Sequence, residues 1–313
     1  MSLAFSTVSE KLADTFEAAL PIGLRPYGKQ ASDLAIDFHQ PLRPQLETDL
    51  LCCCAQDAAG NAIHPDFFWH LGLSQRIEAL LSVVSLSLSQ PPERSAQTSD
   101  LTPDPTTNPA IDFSVTCAYS PCQKMMEGSV NMSSLHALQQ TAPPEITTVT
   151  LGQRSFKIRR PTGRDQLTWL TQSTGNSGLQ AIIQSLVVSP ISPDDFVSSD
   201  DFVPANHSIS DNNQWPEKVE ESALANLNQA LDALDPLVDF TLLITCPHCN
   251  QAAQHSLDLG GWALKQLQHM QQQLMLLVHT LAYHYHWSEA EIFAIPHWRR
   301  KYYLSLIAYE ERR

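Results

Sequence analysis

A cysteine pair that follows a strand-like segment occurs twice in this chain, and this repetition restricts the possible folds more than any other feature. The first copy reads Phe113-Ser-Val-Thr-Cys117-Ala-Tyr-Ser-Pro-Cys122, and the second reads Phe240-Thr-Leu-Leu-Ile-Thr-Cys246-Pro-His-Cys249. Counted from the second cysteine of each copy, Ser129–Met132 and Ser256–Leu259 fall at the same offsets. The repetition predicts two hairpins that each end in a cysteine-bearing turn, named here the first and the second knuckle.

The four knuckle cysteines have the residue type and grouping of a structural metal site. Zinc prefers four tetrahedral thiolate or imidazole ligands, and Cys-x2-4-Cys places two of them on one turn. Cys246-Pro-His-Cys249 fits this spacing well, whereas Cys117 and Cys122 are separated by four residues. We therefore expect one structural zinc ion held by both knuckles.

Other interpretations of these cysteines stay open from the sequence alone. The hairpins could pack together without metal, or Cys246 and Cys249 could form a redox dithiol, although no thioredoxin-like βαβ pattern surrounds them. Alternative ligands are available in the chain: Cys52, Cys53, Cys54, His248 and His255. The cysteine triplet itself falls in the apolar run Leu50–Cys54, which we interpret as a buried strand of a hairpin.

Charge and hydropathy exclude several classes of partner. The chain has 313 residues and a formal net charge of −14, which repels phosphate backbones, so nucleic acid is not expected as a partner. The N-terminus lacks a secretory pattern, and the apolar runs are too short to span a membrane. We expect a cytoplasmic protein with no membrane partner and no small-molecule substrate.

Two segments rich in proline and polar residues divide the chain into blocks. The expected organisation has six parts: a flexible N-terminal arm at 1–49, a hairpin plus helix at 50–90, a Pro-rich linker at 91–110, the first knuckle with a hairpin and helices at 111–188, an acidic loop at 189–216, and the second knuckle with a helical C-terminal region at 217–313.

Periodicity predicts the fold class. Alternating residues around Gly152-Gln153 predict a β-hairpin over 146–160, and apolar residues spaced by three and four predict a long helix over Gly261–Tyr285. Ser288-Glu-Ala-Glu291 is a capping box before a short helix, and Pro296 precedes a last one. The expected class is α+β: helix-rich, with short β-hairpins, a duplicated zinc-ribbon-like knuckle and a long C-terminal helix.

Two basic groups in this acidic chain are candidate protein-contact sites. The first contains Arg159, Arg160 and Arg164, and the second lies near the last helix: Trp287, Trp298, Arg299 and Arg300. Catalytic signatures are missing from the sequence: there is no Gly-x-Ser-x-Gly, no P-loop and no Gly-x-Gly-x-x-Gly. We therefore expect no catalytic residues and no enzyme activity.

Two segments together resemble the T4-type phage baseplate hub assembly chaperone family. One is Thr148–Gln166 with its Pro161-Thr-Gly163 and Asp165-Gln166 pattern, and the other runs from Cys246-Pro-His-Cys249 through Tyr285-His-Trp287-Ser-Glu-Ala-Glu-Ile292. The resemblance covers 113–310 most clearly. It implies a role in assembling the baseplate hub of a contractile tail of a phage or phage-like injection system.

The expected function is thus a non-enzymatic chaperone or adaptor that contacts baseplate hub or spike proteins. One alternative is a permanent structural component of the baseplate, retained in the tail particle. A second alternative is a zinc-ribbon regulatory protein or enzyme.

Overall fold

The computed structural model describes residues 22–88, 110–140, 146–151, 154–172, 178–190 and 221–312. In chain order, its helices are a 3-10 helix at Ala31–Ala35, α1 (Arg43–Cys54), α2 (Pro65–His70), α3 (Leu73–Leu88), α4 (Met132–Gln140), α5 (Gly163–Gln172), α6 (Gly178–Leu186), α7 (Glu221–Leu234), α8 (Leu259–Tyr285), α9 (Glu289–Ala294) and α10 (His297–Glu310).

The strands form four small antiparallel sheets. In chain order they are β1 (Gly23–Leu24), β2 (Ala55–Gln56), β3 (Ala110–Thr116), β4 (Met125–Asn131), β5 (Ile146–Leu151), β6 (Arg154–Arg159), β7 (Val187–Pro190), β8 (Phe240–Thr245) and β9 (Ala252–Leu257). The pairs are β1–β2, β3–β4 and β8–β9, and the remaining sheet has the order β5-β6-β7. The predicted α+β class, with short hairpins and a long C-terminal helix, is confirmed.

Helix α3 lies at the centre of the main core. Its apolar residues recur at a helical spacing, and Leu80 and Val84 are almost completely buried. They pack in one cluster with Leu51 of α1 and with Ala263 and Leu267 of α8. Burial of one such aliphatic side chain contributes about 1.5–3 kcal/mol, so this cluster is the main stabilising element of the fold.

A second apolar cluster joins the sheet β5-β6-β7 to helices α6 and α7. It contains Val149, Phe156, Ile158, Ile183, Leu227 and Leu234. Strands β5 and β6 pair from Ile146 with Arg159 to Leu151 with Arg154, as predicted, and the predicted turn at Gly152-Gln153 lies outside the described residues. The sheet β5-β6-β7 therefore shares with α6 and α7 a small apolar core that is separate from the main one.

The two knuckle hairpins have the same register and each leads directly into a helix. Thr116 pairs with Met125 just before the first knuckle, and Thr245 pairs with Ala252 just before the second. The helices α4 and α8 then start at equivalent positions. In this register Phe240 corresponds to Ile111, and both side chains are buried.

Three sequence predictions about the elements are wrong: a strand at Leu50–Cys54, a helix over Ala181–Val188, and Ser74 as the N-cap of a helix that begins at Gln75. Leu50–Cys54 belongs to helix α1 and not to a strand, because a short apolar run carries no periodicity that separates the two. Val187 and Val188 begin β7 and do not extend a helix. Ser74 does not cap α3: its hydroxyl accepts a hydrogen bond from the backbone N–H of Leu237 (3.1 Å).

Much of the expected N-terminal arm is fixed to the core. Asp33 is fully buried, and its carboxylate accepts bonds from the Arg25 guanidinium and from the backbone N–H groups of Gly28 and Lys29. Gln271 of α8 donates to the carbonyl of Ile36 (2.8 Å). Residues 22–49 are therefore integral to the fold, while the rest of the arm lies outside the described residues.

The predicted Pro-rich linker and acidic loop lie almost entirely outside the described residues. Among the helices of the described ranges, none combines the length and the apolar character needed to cross a membrane.

Candidate metal centre

The two knuckles are equivalent turns when they are aligned on their second cysteine. The backbone N–H of Cys117 donates to the carbonyl of Lys124, and the N–H of Cys246 donates to that of Gln251. In both cases the acceptor is the second residue after the second cysteine. The two turns thus close the strand ends in the same manner.

A left-handed residue follows the second cysteine in each knuckle. Gln123 has φ of 45° and Asn250 has φ of 57°, and each donates its backbone N–H to the carbonyl three residues before the second cysteine of its own knuckle. That carbonyl belongs to Tyr119 in the first knuckle and to Cys246 in the second. The first knuckle is therefore the second with two residues inserted after its first cysteine.

The four sulfur atoms converge although they come from segments more than a hundred residues apart. The Sγ atoms of Cys117 and Cys249 are 3.7 Å apart, and those of Cys122 and Cys246 are 3.9 Å apart. All four sulfurs lie within 4.8 Å of one another, and none is in a disulfide. Four thiolates at about 2.3 Å from a tetrahedral zinc ion would be about 3.8 Å apart, so the donor set fits such an ion.

The surroundings of the sulfurs suit a closed structural site. Met126, Val115 and Ile244 pack against the cysteines and form an apolar shell. Burial opposes ionisation of the Cys246 thiol, but hydrogen bonds from the backbone N–H groups of His248 and Cys249 and from the thiols of Cys249 and Cys117 lower its pKa to about 7. The pKa values of Cys249 and Cys117 are raised, because each of these thiols shares hydrogen bonds with its neighbours. The thiolate is the form that binds metal, and Cys246 ionises more readily than Cys117 or Cys249.

The alternative ligands do not take part in this cluster. Cys52, Cys53 and Cys54 lie on α1, where the Cys53 thiol contacts the Asp33 carboxylate (3.1 Å). Neither His248 nor His255 belongs to the group of four. The four cysteines singled out from the sequence are thus the ones brought together, in an arrangement compatible with a structural metal.

Two polar contacts attach the second hairpin to the rest of the molecule. Asp258 caps α8 by accepting from the backbone N–H of Gly261 (2.8 Å), and the same carboxylate receives both terminal nitrogens of Arg43 at 2.8 Å. Gly260 allows this approach, because a Cβ there would be 2.3 Å from the Arg43 guanidinium. The indole N–H of Trp262 in α8 donates to the carbonyl of Asp112 in β3 (3.1 Å), and this bond joins α8 to the first hairpin.

A second polar centre, named here the Arg76 centre, was not predicted from the sequence. Arg76 of α3 is completely buried, and its guanidinium contacts the Glu47 carboxylate (3.3 and 3.4 Å) and the carbonyls of Pro44 (2.7 Å) and Phe68 (2.8 Å). Gly163 lies against this guanidinium, since a Cβ there would be 2.6 Å from its Nη1 atom. Glu47 also pairs with Arg43, so a line of charges connects this centre to Asp258.

The first predicted contact group is largely engaged within the molecule. Arg159 forms two bonds with Asp165 (2.6 and 2.7 Å), which in turn accepts from the Thr162 backbone N–H and holds the start of α5. Arg160 is mostly buried, with its Nε atom 3.8 Å from Asp235. Arg164 is more exposed and pairs with Asp66 (2.8 Å).

The second predicted contact group is split between the core and the surface. Trp287 stacks on Tyr285 at a ring distance of 4.5 Å. Arg300 is 3% exposed, lies over the Phe293 ring, and has its pKa lowered by burial. Trp298 is half exposed, and Arg299 lies at the surface beside Tyr303.

Comparisons with known proteins give no further information on identity: no protein-family model, no curated protein and no solved structure matches this chain.

Proposed function

We propose that this chain is a non-enzymatic assembly factor whose two distant halves are held together by a structural zinc ion. The observation that carries the proposal is the convergence of four cysteine sulfurs, two from each knuckle, at the spacing of a tetrahedral thiolate site. Four thiolates complete the coordination of zinc and leave no open position for a substrate or a water nucleophile. A closed site of this kind supports a structural role.

The assembly process is proposed from the resemblance to the T4-type phage baseplate hub assembly chaperone family. Pro161-Thr-Gly163 and Tyr285–Ile292 carry that resemblance. In this proposal the chain binds a baseplate hub or spike subunit of a contractile tail in the host cytoplasm, and releases it during assembly. Within the fold, Gly163 of the first motif has a structural role, since it packs on Arg76 and its backbone N–H donates to the Leu71 carbonyl (3.2 Å).

The metal part of the proposal is tested by elemental analysis of the purified full-length protein. We expect one zinc ion per chain, lost on mild thiol alkylation or strong chelation. A stable wild-type protein that contains no metal, and whose unfolding is unaffected by a chelator, would remove zinc from the proposal.

The assembly part is tested by co-expression with the hub and spike subunits of the same tail gene cluster. We expect a complex with one of these subunits before assembly and absence of the chain from mature particles. Presence in purified particles would instead favour a permanent baseplate component. Failure to bind any of these subunits, while the protein remains folded and metal-loaded, would contradict the assembly role.

A further inference from the structure

Arg300, the fourth residue of α10, is a buried cation for which the described part of the chain supplies no counter-ion. The residue is 3% exposed, and its Nε and Nη1 atoms are enclosed without a hydrogen-bond acceptor. Burial lowers its pKa, and no carboxylate of the described residues opposes that shift. An enclosed charge without a partner is costly, and native proteins almost always provide one. The missing acceptor therefore points to an anionic ligand.

The same chain satisfies another enclosed guanidinium. Arg76 donates to the Glu47 carboxylate and to two backbone carbonyls. Arg300 instead lies over the Phe293 ring at 5.3 Å, and this cation–π contact offers no lone pair in the plane of its N–H groups. A guanidinium that serves stability alone is expected to resemble Arg76, so the surroundings of Arg300 suit a binding role.

The guanidinium of Arg300 lies toward the N-terminal end of its helix. Phe293 precedes the first residue of α10, so a side chain that covers this ring has turned back toward the helix start. The helix has 14 residues, no side chain caps it, and its first turn contains no acidic residue. The backbone N–H groups of Arg299 and Arg300 donate to the Pro296 carbonyl, which leaves that of Trp298 as a donor for a ligand. The helix start carries a partial positive charge, so it favours an anion at the same place as the guanidinium does.

The anion that fits this site carries a single negative charge. Nε and Nη1 are enclosed, so Nη2 is the guanidinium nitrogen of Arg300 that a ligand can reach. The Arg299 guanidinium is directed away along the helix, where it donates to the Tyr303 hydroxyl (3.0 Å). One cation with few N–H donors balances one carboxylate, whereas a phosphate group at about −2 would keep a net negative charge.

We propose that the start of α10 binds one carboxylate of a partner protein, with Arg300 Nη2 and the Trp298 backbone N–H as the donors. At contact distance the guanidinium dominates, because exposed charges more than about 8–10 Å away are largely screened at physiological ionic strength. The net charge of −14 acts on the partner as a whole, so we expect the rest of the partner surface to be neutral or basic. The protein source of the carboxylate rests on the proposed role as a binding protein, whereas the site itself does not.

Acetate is the probe for the site, and the purified full-length protein is used. Thermal unfolding is compared in sodium acetate and in sodium chloride at equal ionic strength. Because a ligand of the folded state raises stability, we expect acetate to raise the apparent Tm of the wild type by about 1–2 °C over chloride. Arg300→Met should lose this increase, and in chloride it should unfold at a higher temperature than the wild type, since an unpaired buried charge is removed.

The control is Arg299→Met, which removes one positive charge from the same turn and should keep the acetate effect. No acetate effect in the wild type, or an equal effect in Arg300→Met, would overturn the proposal. A lower Tm of Arg300→Met in chloride would also overturn it, because it would show a structural role for the guanidinium. A larger increase with phosphate than with acetate would assign the site to phosphate groups instead.

A second measurement reads the wild type directly. In protein labelled with 15N-arginine, the Nε–H signal of Arg300, assigned with Arg300→Lys, should shift during titration with acetate and not with chloride. In a complex with a tail subunit, the same signal should be displaced without acetate. An unchanged signal in a complex that does form would overturn the protein source of the carboxylate. Failure of the complex to form would contradict the proposed function and not the site, so the two failures are distinguishable.

Discussion

The protein joins distant segments at two polar centres that differ in what they require. At the Arg76 centre the cation and its acceptors all belong to the chain: one buried guanidinium is bonded to the Glu47 carboxylate and to backbone carbonyls from α1 and α2. At the thiol cluster, formed by Cys117, Cys122, Cys246 and Cys249, four sulfur atoms converge. Their mutual attraction is weak unless a cation lies between them. The comparison teaches that one centre is self-contained, whereas the other is expected to depend on an ion.

The largest expected effect comes from removing the proposed metal ligands of the thiol cluster. Replacing Cys246 and Cys249 by serine should remove the metal and lower the free energy of unfolding by about 5 kcal/mol or more, because metal binding is coupled to folding. Replacing Cys117 and Cys122 should cost the same, since both pairs hold one ion. Metal content and urea unfolding, each with and without a chelator, check both doubles, and Cys52→Ser is the control. A double variant that keeps its metal would contradict a shared site.

The next effect tests whether the Arg76 centre is independent of the ion. Arg76→Met leaves Glu47 buried with one cation fewer, and we expect a loss of about 3 kcal/mol, near the low end for broken buried pairs because Arg43 remains on Glu47. Urea unfolding should give the same loss with and without a chelator. The control is Arg164→Met, which breaks the exposed pair with Asp66 and should change stability by about 0.5 kcal/mol or less. A loss at Arg76 that appears only in the metal-loaded protein would show that the centres are coupled.

A third effect concerns pH at the junction of α7 with α3. Asp235 accepts from the backbone N–H of Ser74 (3.0 Å), and its burial raises its pKa to about 6, while Arg160 opposes this. A raised carboxyl pKa stabilises the fold below the unfolded value near 4, and this contribution, on the order of 2 kcal/mol, is lost as the pH rises through 6.

The variant Asp235→Asn should remove that pH dependence. The difference in unfolding free energy between the variant and the wild type, measured at pH 5 and at pH 7.5, cancels the effect of pH on the thiol cluster. We expect the variant to gain stability relative to the wild type as the pH rises. A difference that is constant across this interval would contradict the raised pKa.

The smallest expected effect comes from equivalent positions in the two hairpin-helix units, which are β3-β4-α4 and β8-β9-α8. Asp258→Ala removes the cap of α8 and the pair with Arg43, and should cost about 1 kcal/mol more than Asn131→Ala at the matching position before α4. Thermal unfolding of both variants measures this difference. Equal losses would mean that the Arg43 contact adds nothing to the attachment of the second unit.

The sequence predicted the thiol cluster because its signal is local: cysteine spacing and strand alternation recur in two copies that can be compared directly. It left the wider spacing at Cys117 and Cys122 unexplained, since only the backbone bonds of Tyr119 and Gln123 identify a two-residue insertion within an otherwise equivalent turn. The zinc identity stays a prediction.

The Arg76 centre could not be predicted in this way. Arg76 stands in Ser74-Gln-Arg-Ile, a stretch that is typical of a solvent-facing helix start, and its acceptors on α1 come from residues about 30 positions earlier in the chain. Gln271 and Arg300 likewise stand among polar residues in the sequence, and both are buried by tertiary packing. Propensity and periodicity describe one element at a time, whereas burial of a polar residue depends on which element lies against it.

The division of the thiol cluster between two knuckles also sets an order in time. Cys122 and Cys246 are 124 residues apart, which synthesis at about 5–20 residues per second separates by roughly 6–25 s. During that interval the first knuckle offers only two of the four ligands that zinc requires. The proposed metal ion could therefore be held firmly only after both knuckles have left the ribosome and docked, and its uptake would record that the two hairpin-helix units of one chain have found each other.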